Sequence, residues 1–310
     1  MSTAPPRVAL ETTLLLHGVP RLQAVPLYRE LVRVVQDAGS IPALVGVVAG
    51  RGVIGMTEAA FLSMLEARQA GREPPHQEGL IAVPKLNTAN LGVTMALGAD
   101  GATTVSTTME LAAAAGIRIF ATGGLGGVHR GYDRALDIST DLAAFTRFPL
   151  AVVCSGVKSI LDVSSTREVL ETLGVPVIGY QTSSFPAFYL RDADPPIAVD
   201  ARFDDVDALA RYVRRELART GRGIVIVNPI DAQHQLARAH WDGWLAQATK
   251  DAEHAGVSGR GVTPFVLGRL HHISGGATLR ANVELVKSNA GLAGRVAAAM
   301  ARRAEASSMV

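Results

Sequence analysis

The chain has 310 residues, 48% of them hydrophobic, with 30 basic and 28 acidic side chains and a formal net charge of +2. That length supports a sizeable buried core, and so even a charge balance gives no basis for a nucleic-acid surface or a polybasic membrane anchor. A single cysteine, Cys154, leaves no disulfide framework and no cysteine zinc site and fits a reducing compartment.

No apolar run approaches the ~18 residues of a membrane span, and the N-terminal MSTAPPRV has no apolar signal core. A cytoplasmic protein with no membrane or nucleic-acid partner is expected. Arg302-Arg303 reads as a solvated helix end.

The chain alternates between short apolar runs and amphipathic stretches. Val8–Leu16 is a strand candidate interrupted by Glu11. Leu22–Ala38 has helical spacing through Leu22, Val25, Leu31, Val34 and Val35. Ala43–Val48 and Val53–Met56 are strand candidates, and Thr57-Glu58 opens a helix that runs to about Gln69. Leu80–Val83 is a strand ending at Pro84-Lys85. Asn90–Leu97 is a short helix, Thr103–Val105 a strand, Thr108–Ala115 a helix and Ile117–Ala121 a strand, which leads into GGLGGVHRG.

Further on, Ser139–Phe145 is a helix and Leu150–Cys154 a fully apolar strand of the buried parallel kind. A helix start near Ser159 and a helix over Thr166–Leu173 follow. Val175–Gly179 and Ile224–Val227 are strands flanking a helix at Leu209–Ala218. Asp192–Asp200 is the most loop-like stretch. Beyond Ala232 the chain reads as helices, with long ones near Leu236–Ala255 and Thr278–Arg302. This pattern predicts an α/β class: three α/β/α layers, a largely parallel central sheet and a helical C-terminal part, in one domain over residues 1–310.

The chemistry-bearing residues sit where strands end, which is where open α/β sheets bind ligands. Lys158 follows the apolar run ending at Cys154, flanked by Val157 and Ile160. Partial desolvation there favours a neutral, nucleophilic amine; a surface lysine on a loop is the plain alternative. Cys154, with no adjacent base, reads as buried and inert.

Glu11 within an apolar run is costly unless paired or functional. The glycine cluster GGLGG fits neither the dinucleotide fingerprint nor the P-loop; it is either structural or, with His129 and Arg130, an anion site. Asp137 and Asp141 in DISTD sit four apart and would share one face of a helix. Two carboxylates with hydroxyls suit Mg²⁺ or Mn²⁺, and helix capping is the alternative.

Taken together, VALETTLLLHGVPR, DGATTVSTTM, GIRIFATGGLGGVHRG, DISTDL, VVCSGVKSILDV, LETLGVPVIGYQTSSFPAFYLR and SGGATLRANVELVKSNAGLA resemble the pseudouridine-5′-phosphate glycosidase family, in order and over nearly the whole chain. The resemblance implies making or breaking a carbon–carbon bond between C1′ of ribose 5-phosphate and C5 of uracil. It implies a divalent cation, Mn²⁺ or Mg²⁺, an α/β/α fold and a homotrimer. On this likeness Lys158 is the nucleophile, Glu11 the proton donor and Asp137 the metal ligand. Lys85, the Val105 backbone, Ser139, Thr140 and Asp141 are substrate contacts.

To these the residues themselves add His129 and Arg130 as further phosphate binders and Asn289 as a base or sugar contact, with a helix-surface amide as the other reading of Asn289. Only ten residues precede Glu11, fewer than the resembling proteins usually carry, with no expected effect on chemistry.

One departure bears on the base. After the substrate lysine the resembling proteins commonly have an Arg-Asp pair; here the segment is Leu86-Asn87-Thr88-Ala89-Asn90-Leu91. The sugar-phosphate half of the reading is therefore firmer than the base half. A C-ribosylating enzyme acting on an aromatic carbon nucleophile in antibiotic biosynthesis is the second reading. A non-catalytic sugar-phosphate binder is the third.

Overall fold

A computed structural model describes residues 5–69, 83–133, 136–257 and 262–307. An eight-stranded sheet runs β3-β2-β1-β6-β7-β10-β8-β9. Its strands are β1 (Arg7–Glu11), β2 (Ile41–Val48), β3 (Arg51–Ile54), β6 (Ile119–Ala121), β7 (Ala151–Cys154), β8 (Val177–Tyr180), β9 (Ala201–Phe203) and β10 (Ile224–Val227). Every pairing is parallel except β2 with β3. A second, two-stranded sheet pairs β4 (Lys85–Leu86) with β5 (Ala102–Thr103).

The strands are apolar throughout because both faces are covered, as in other parallel sheets. Alternate residues feed two separate cores. Val8, Leu10, Ile119, Ala121, Ala151, Val153, Ile224 and Ile226 face one layer with α2 (Arg21–Asp37), α8 (Val206–Thr220), α9 (Arg238–His254) and α11 (Ala277–Ser307). Ala9, Phe120, Val152, Cys154, Val225 and Val227 face the other, with α5 (Val105–Ala114), α6 (Thr140–Ala144) and α7 (Val163–Thr172). The expected three-layer α/β/α fold with a helical C-terminal part is what the chain forms. Among the described residues no helix is long and apolar enough to cross a membrane.

Several local expectations change. The run Val8–Leu16 is a strand only to Glu11; α1 (Thr12–His17) follows at once. A short apolar run does not distinguish strand from buried helix, and Leu15 and Leu16 pack into the first core from a helical turn. No helix starts at Ser159: residues 158–161 form a turn, and α7 begins at Val163 with Asp162 accepting from the Ser165 N–H at 2.8 Å. Of the expected strand Leu80–Val83, residues 80–82 lie outside the described residues and Val83 is not in a strand. β9 and α10 (Val262–Ile273) were not separately foreseen.

The sequential order of the central strands places the site. From β1 the chain winds outward to β2 and β3, then returns to lay β6 on the opposite side of β1. That reversal opens a crevice at the carboxyl ends of β1 and β6, the usual ligand position in such sheets.

Candidate active site

Glu11 is the last residue of β1 and is 8% exposed. Across the crevice, Thr122 follows β6 and its hydroxyl donates to the Glu11 carboxylate. Burial pushes the Glu11 carboxyl above the ordinary range; Lys158 and the Thr122 hydrogen bond pull the other way, Asp141 adds to the rise and Lys85 opposes it. Desolvation is the largest cause, so a proton is retained to higher pH than on a surface carboxylate.

Lys158 reaches the same crevice from beyond β7. Its turn is fixed on three sides. The Lys158 N–H donates to Leu125 O at 3.1 Å, the Leu161 N–H donates to Lys158 O at 2.9 Å, and Ser155 Oγ donates to Asn228 O at 2.9 Å. Gly156 has φ +79°, and a Cβ there would lie 1.9 Å from Pro186 O, so the turn requires glycine. The Lys158 side chain is half-buried and, among the described residues, makes no hydrogen bond or ion pair.

Lys85, on β4, stands at the rim. Burial of its ammonium end, then repulsion from Lys158, lowers its pKa to about 8, with Glu11 opposing. The residue as a whole is exposed, so solvent screens part of that push.

Thr13, Leu14, His17, Gly123, Gly124, Phe188, Tyr189, Leu267, His271 and Asn282 complete the wall around Glu11, Lys85 and Lys158. His17 is pushed down to about 4, chiefly by burial and then by Arg68 and Lys85. It is therefore neutral at pH 7, with Nε2 3.0 Å from Val83 O. Phe188, His271 and Asn282 carried no distinguishing signal in sequence, since each falls within an ordinary apolar or helical stretch.

Asp141 is a buried hub. Its carboxylate accepts from the Ser106 N–H at 3.0 Å and the Gly126 N–H at 2.9 Å, and its own N–H donates to Ser139 Oγ at 3.2 Å. Thr140 Oγ1 lies 3.2 Å from Ser106 Oγ. The pair thus ties the start of α5, where Val105 is the first residue, to the glycine loop. Among the described residues no acceptor meets the Val105 N–H. An unpaired N–H at a helix start is a ready anion contact.

The glycine loop itself is largely packing. Gly126 N–H serves Asp141, Leu125 N–H donates to Gly156 O at 2.9 Å and Val128 N–H to Thr166 Oγ1 at 2.9 Å. A Cβ on Gly126 would lie 2.3 Å from Ser139 Oγ, and one on Gly127 2.3 Å from Thr166 Oγ1.

Asp137 and Asp141 do not share a helix face. Asp137 precedes α6, whose N-cap is Ser139, and its side chain is 52% exposed while Asp141 is buried. His129 holds Asp137 in place: its N–H donates to Asp137 O at 3.0 Å, and its Nδ1 is 3.7 Å from Asp137 Oδ2. Arg130 points elsewhere. It lines a separate cavity, its Nη2 3.5 Å from Ser159 O.

Asn289 is neither a surface amide nor a cleft group. It is fully buried on α11. Its Nδ2 donates to Thr122 O at 2.9 Å and to Ser155 Oγ at 3.1 Å, and its Oδ1 accepts from Asn228 Nδ2 at 3.0 Å. It binds together the segments that carry Thr122 and Lys158.

Among the described residues no group of three His, Cys, Asp or Glu side chains is placed to hold a metal ion. One half-exposed carboxylate, Asp137, fits a hydrated hard cation that keeps most of its waters and takes further oxygens from a substrate. Cys154 is buried, its thiol pushed up to about 12 by desolvation.

The comparisons agree with one another. A family model described as indigoidine synthase A like protein matches residues 1–299. A pseudouridine-5′-phosphate glycosidase of Methylobacterium nodulans is 44% identical over 95% of this chain and 83% of its own length. One of Geobacillus kaustophilus is 42% identical over 94% and 92%.

Among solved structures, the prealnumycin C-glycosynthase AlnA in complex with ribulose 5-phosphate superposes with a TM-score of 0.84 at 34% identity, over 97% of this chain and 93% of that one. An indigoidine synthase A-like protein of Thermotoga maritima gives 0.84 at 31%, over 97% and 95%. The chain belongs to the indigoidine synthase A-like family, to which its pseudouridine-5′-phosphate glycosidase relatives and this C-glycosynthase fold are joined by sequence and structure.

Proposed function

We infer that the protein is a C-glycosidase or C-glycosynthase that breaks or makes the bond between C1′ of ribose 5-phosphate and a ring carbon of the base, with pseudouridine 5′-phosphate and water on one side and uracil and ribose 5-phosphate on the other. The observation that carries this reading is the pairing of an unpartnered, half-buried Lys158 with a buried, proton-retaining Glu11 in one crevice. Ordinary glycosidases protonate a leaving oxygen with one of two carboxylates. A C-glycoside offers no such oxygen, and a lysine supplies another route.

In the cleavage direction Lys158 Nζ bonds to C1′ as the C1′–O4′ bond breaks and O4′ takes a proton. The C1′–C5 bond then breaks, C5 takes a proton, and the electron pair on Lys158 nitrogen forms the iminium. Water hydrolyses the iminium, returning the amine and releasing ribose 5-phosphate. Glu11 is the acid throughout: it gives its proton to O4′, takes one from the ammonium that Lys158 becomes on attack, which frees the nitrogen lone pair, and gives that proton to C5; hydrolysis of the iminium returns a proton to it. Lys85, the Val105 N–H and the Ser139–Asp141 turn hold the phosphate and hydroxyls.

Asp137, steadied by His129, would hold the divalent cation, Mn²⁺ or Mg²⁺, which when bound supplies positive charge to the substrate's oxygens. A homotrimer in the cytoplasm is the accompanying proposal.

The test is to incubate the protein with Mn²⁺ and either pseudouridine 5′-phosphate or ribose 5-phosphate plus uracil, following both by chromatography, and to trap with borohydride. Interconversion with a ribose 5-phosphate adduct on Lys158 is expected. Absence of both turnover and adduct overturns the reading in favour of a sugar-phosphate binder.

A second reading rests on one observation: AlnA, similar over nearly the full chain, is a C-glycosynthase. An adduct on Lys158 without uracil turnover would favour an aromatic aglycone and C–C bond formation.

A further inference from the structure

Behind the Lys158 turn lies a second cavity, of about 350 Å³, that shares no lining residue with the crevice. Its wall is continuous with the nucleophile's loop: Ser159, Asp162, Val163 and Ser164 form one side, Arg130 the adjoining edge, and Arg238, Trp241 and Asp242 of α9 the other.

We propose that this cavity is a binding site for a phosphate ester of a polyol, occupied independently of the crevice and coupled to it through the Ser155–Asp162 loop.

Four observations support it. First, α7 is ten residues long and its first N–H groups, on Val163 and Ser164, meet no acceptor among the described residues. They line the cavity and present the positive end of the helix to it. Second, Ser159 is 3% exposed, lines the cavity, and its Oγ has no partner among the described residues. A buried hydroxyl without a partner is uncommon and points to a missing one.

Third, two guanidinium groups border the space. Arg130 makes one long contact, to Ser159 O, and Arg238 donates to Asp192 O at 2.7 Å. Each keeps further donors for an anion. The Val128–Asp162 bridge sets the Arg130 loop beside the start of α7, and Arg130, Val163 and Ser164 line the same cavity.

Fourth, the carboxylates are placed away from that end or already engaged. Asp162 accepts from the Ser165 N–H, and Asp194 lies 4.0 Å from Arg238. Asp242 remains exposed on α9, placed to accept from a ligand hydroxyl. A ligand with a phosphate at one end and hydroxyls at the other matches this polarity; a bare hydrocarbon or a nucleic-acid strand does not.

Ser159 adjoins Lys158 in sequence, and the loop's other face forms the crevice wall. Ser159 lines the cavity and Lys158 the crevice, so a ligand seated against Ser159 restrains the turn that carries the nucleophile.

The probes are inorganic phosphate and ribose 5-phosphate, used on the full chain. In Lys158→Ala, calorimetric titration with ribose 5-phosphate should show two binding phases. Arg238→Glu on that background should weaken one of them by about tenfold or more, the scale of one charge-assisted contact, and Arg238→Lys should keep most of it. With the wild-type protein, inorganic phosphate should alter kcat, and Arg238→Glu should remove that effect while leaving kcat without phosphate unchanged.

A single binding phase insensitive to Arg238→Glu overturns the proposal. So does purely competitive inhibition by phosphate, with KM raised and kcat constant, because that is the signature of the crevice alone. The binding arm stands whether or not the C-glycosidase reading survives.

Discussion

The Glu11 carboxylate and the Thr122 hydroxyl are joined across the seam between β1 and β6, and that single hydrogen bond spans the point where the chain reverses its winding. It fixes the orientation of the acid without neutralising it. Because burial outweighs the stabilising neighbours, Glu11 holds its proton more tightly in the folded state than in the unfolded chain.

The linkage has a definite sign. A raised folded-state pKa means that this group's contribution to stability is fully present below the unfolded value and is lost as pH rises through the folded one. Glu11→Gln removes that loss. Its melting temperature should match the wild type near pH 4 and exceed it at pH 8, while turnover falls by about 10²–10⁴. Parallel melting curves at every pH would show that Glu11 is not proton-retaining.

Lys85 titrates in the opposite sense. Its cation is lost as pH rises above about 8, shifted toward the ordinary lysine value by the solvent at the rim. The KM for a phosphate ester should therefore rise on the alkaline side, and Lys85→Arg should flatten that limb. An unchanged limb in Lys85→Arg would assign it to another group.

Gly156→Ala tests the Lys158 turn. The substitution meets both a left-handed φ and a backbone oxygen at 1.9 Å. Strain and overpacking of this kind cost about 1–3 kcal/mol each, so chemical denaturation should show a loss of at least ~2 kcal/mol together with slower adduct formation. A variant of wild-type stability would mean that the turn accommodates a side chain.

Asn289→Ala should destabilise the protein by about 1–3 kcal/mol, because the buried Thr122 O is left without its partner; Ser155 Oγ keeps Asn228 O and Asn228 Nδ2 keeps Ser288 Oγ. If Asn289 touched the base instead, the variant would keep its stability and change KM for the aglycone.

Asp137→Ala should abolish Mn²⁺ binding measured directly, by the fraction of free Mn²⁺ in its electron paramagnetic resonance spectrum, with little change in melting temperature, since the side chain is half-exposed. Retained binding would place the cation elsewhere.

The sheet was legible because apolar four-residue runs such as Ala151–Cys154 and Ile224–Val227 have few alternatives once both faces must be buried. The same rule failed at Thr12–His17, where an apolar run continues past the strand as a helix. At the site, Glu11 stood out as a charge in an apolar run. Lys158 stood out for following one. The partnership of Asp141 with Ser106 and Gly126 did not, because it joins the starts of α6 and α5 to the glycine loop, which only the folded sheet brings together. Asn289 misled for a related reason: a polar residue on a long helix does not declare in sequence which side it faces.

Glu11 ends β1 and Lys158 follows β7, strands that never touch; β6 lies between them and pairs with both. Until that strand is inserted, nothing in the fold holds the two side chains in one crevice. Non-local parallel pairings of this kind form late relative to local helices. The two side chains therefore meet in one crevice only once the central sheet is assembled.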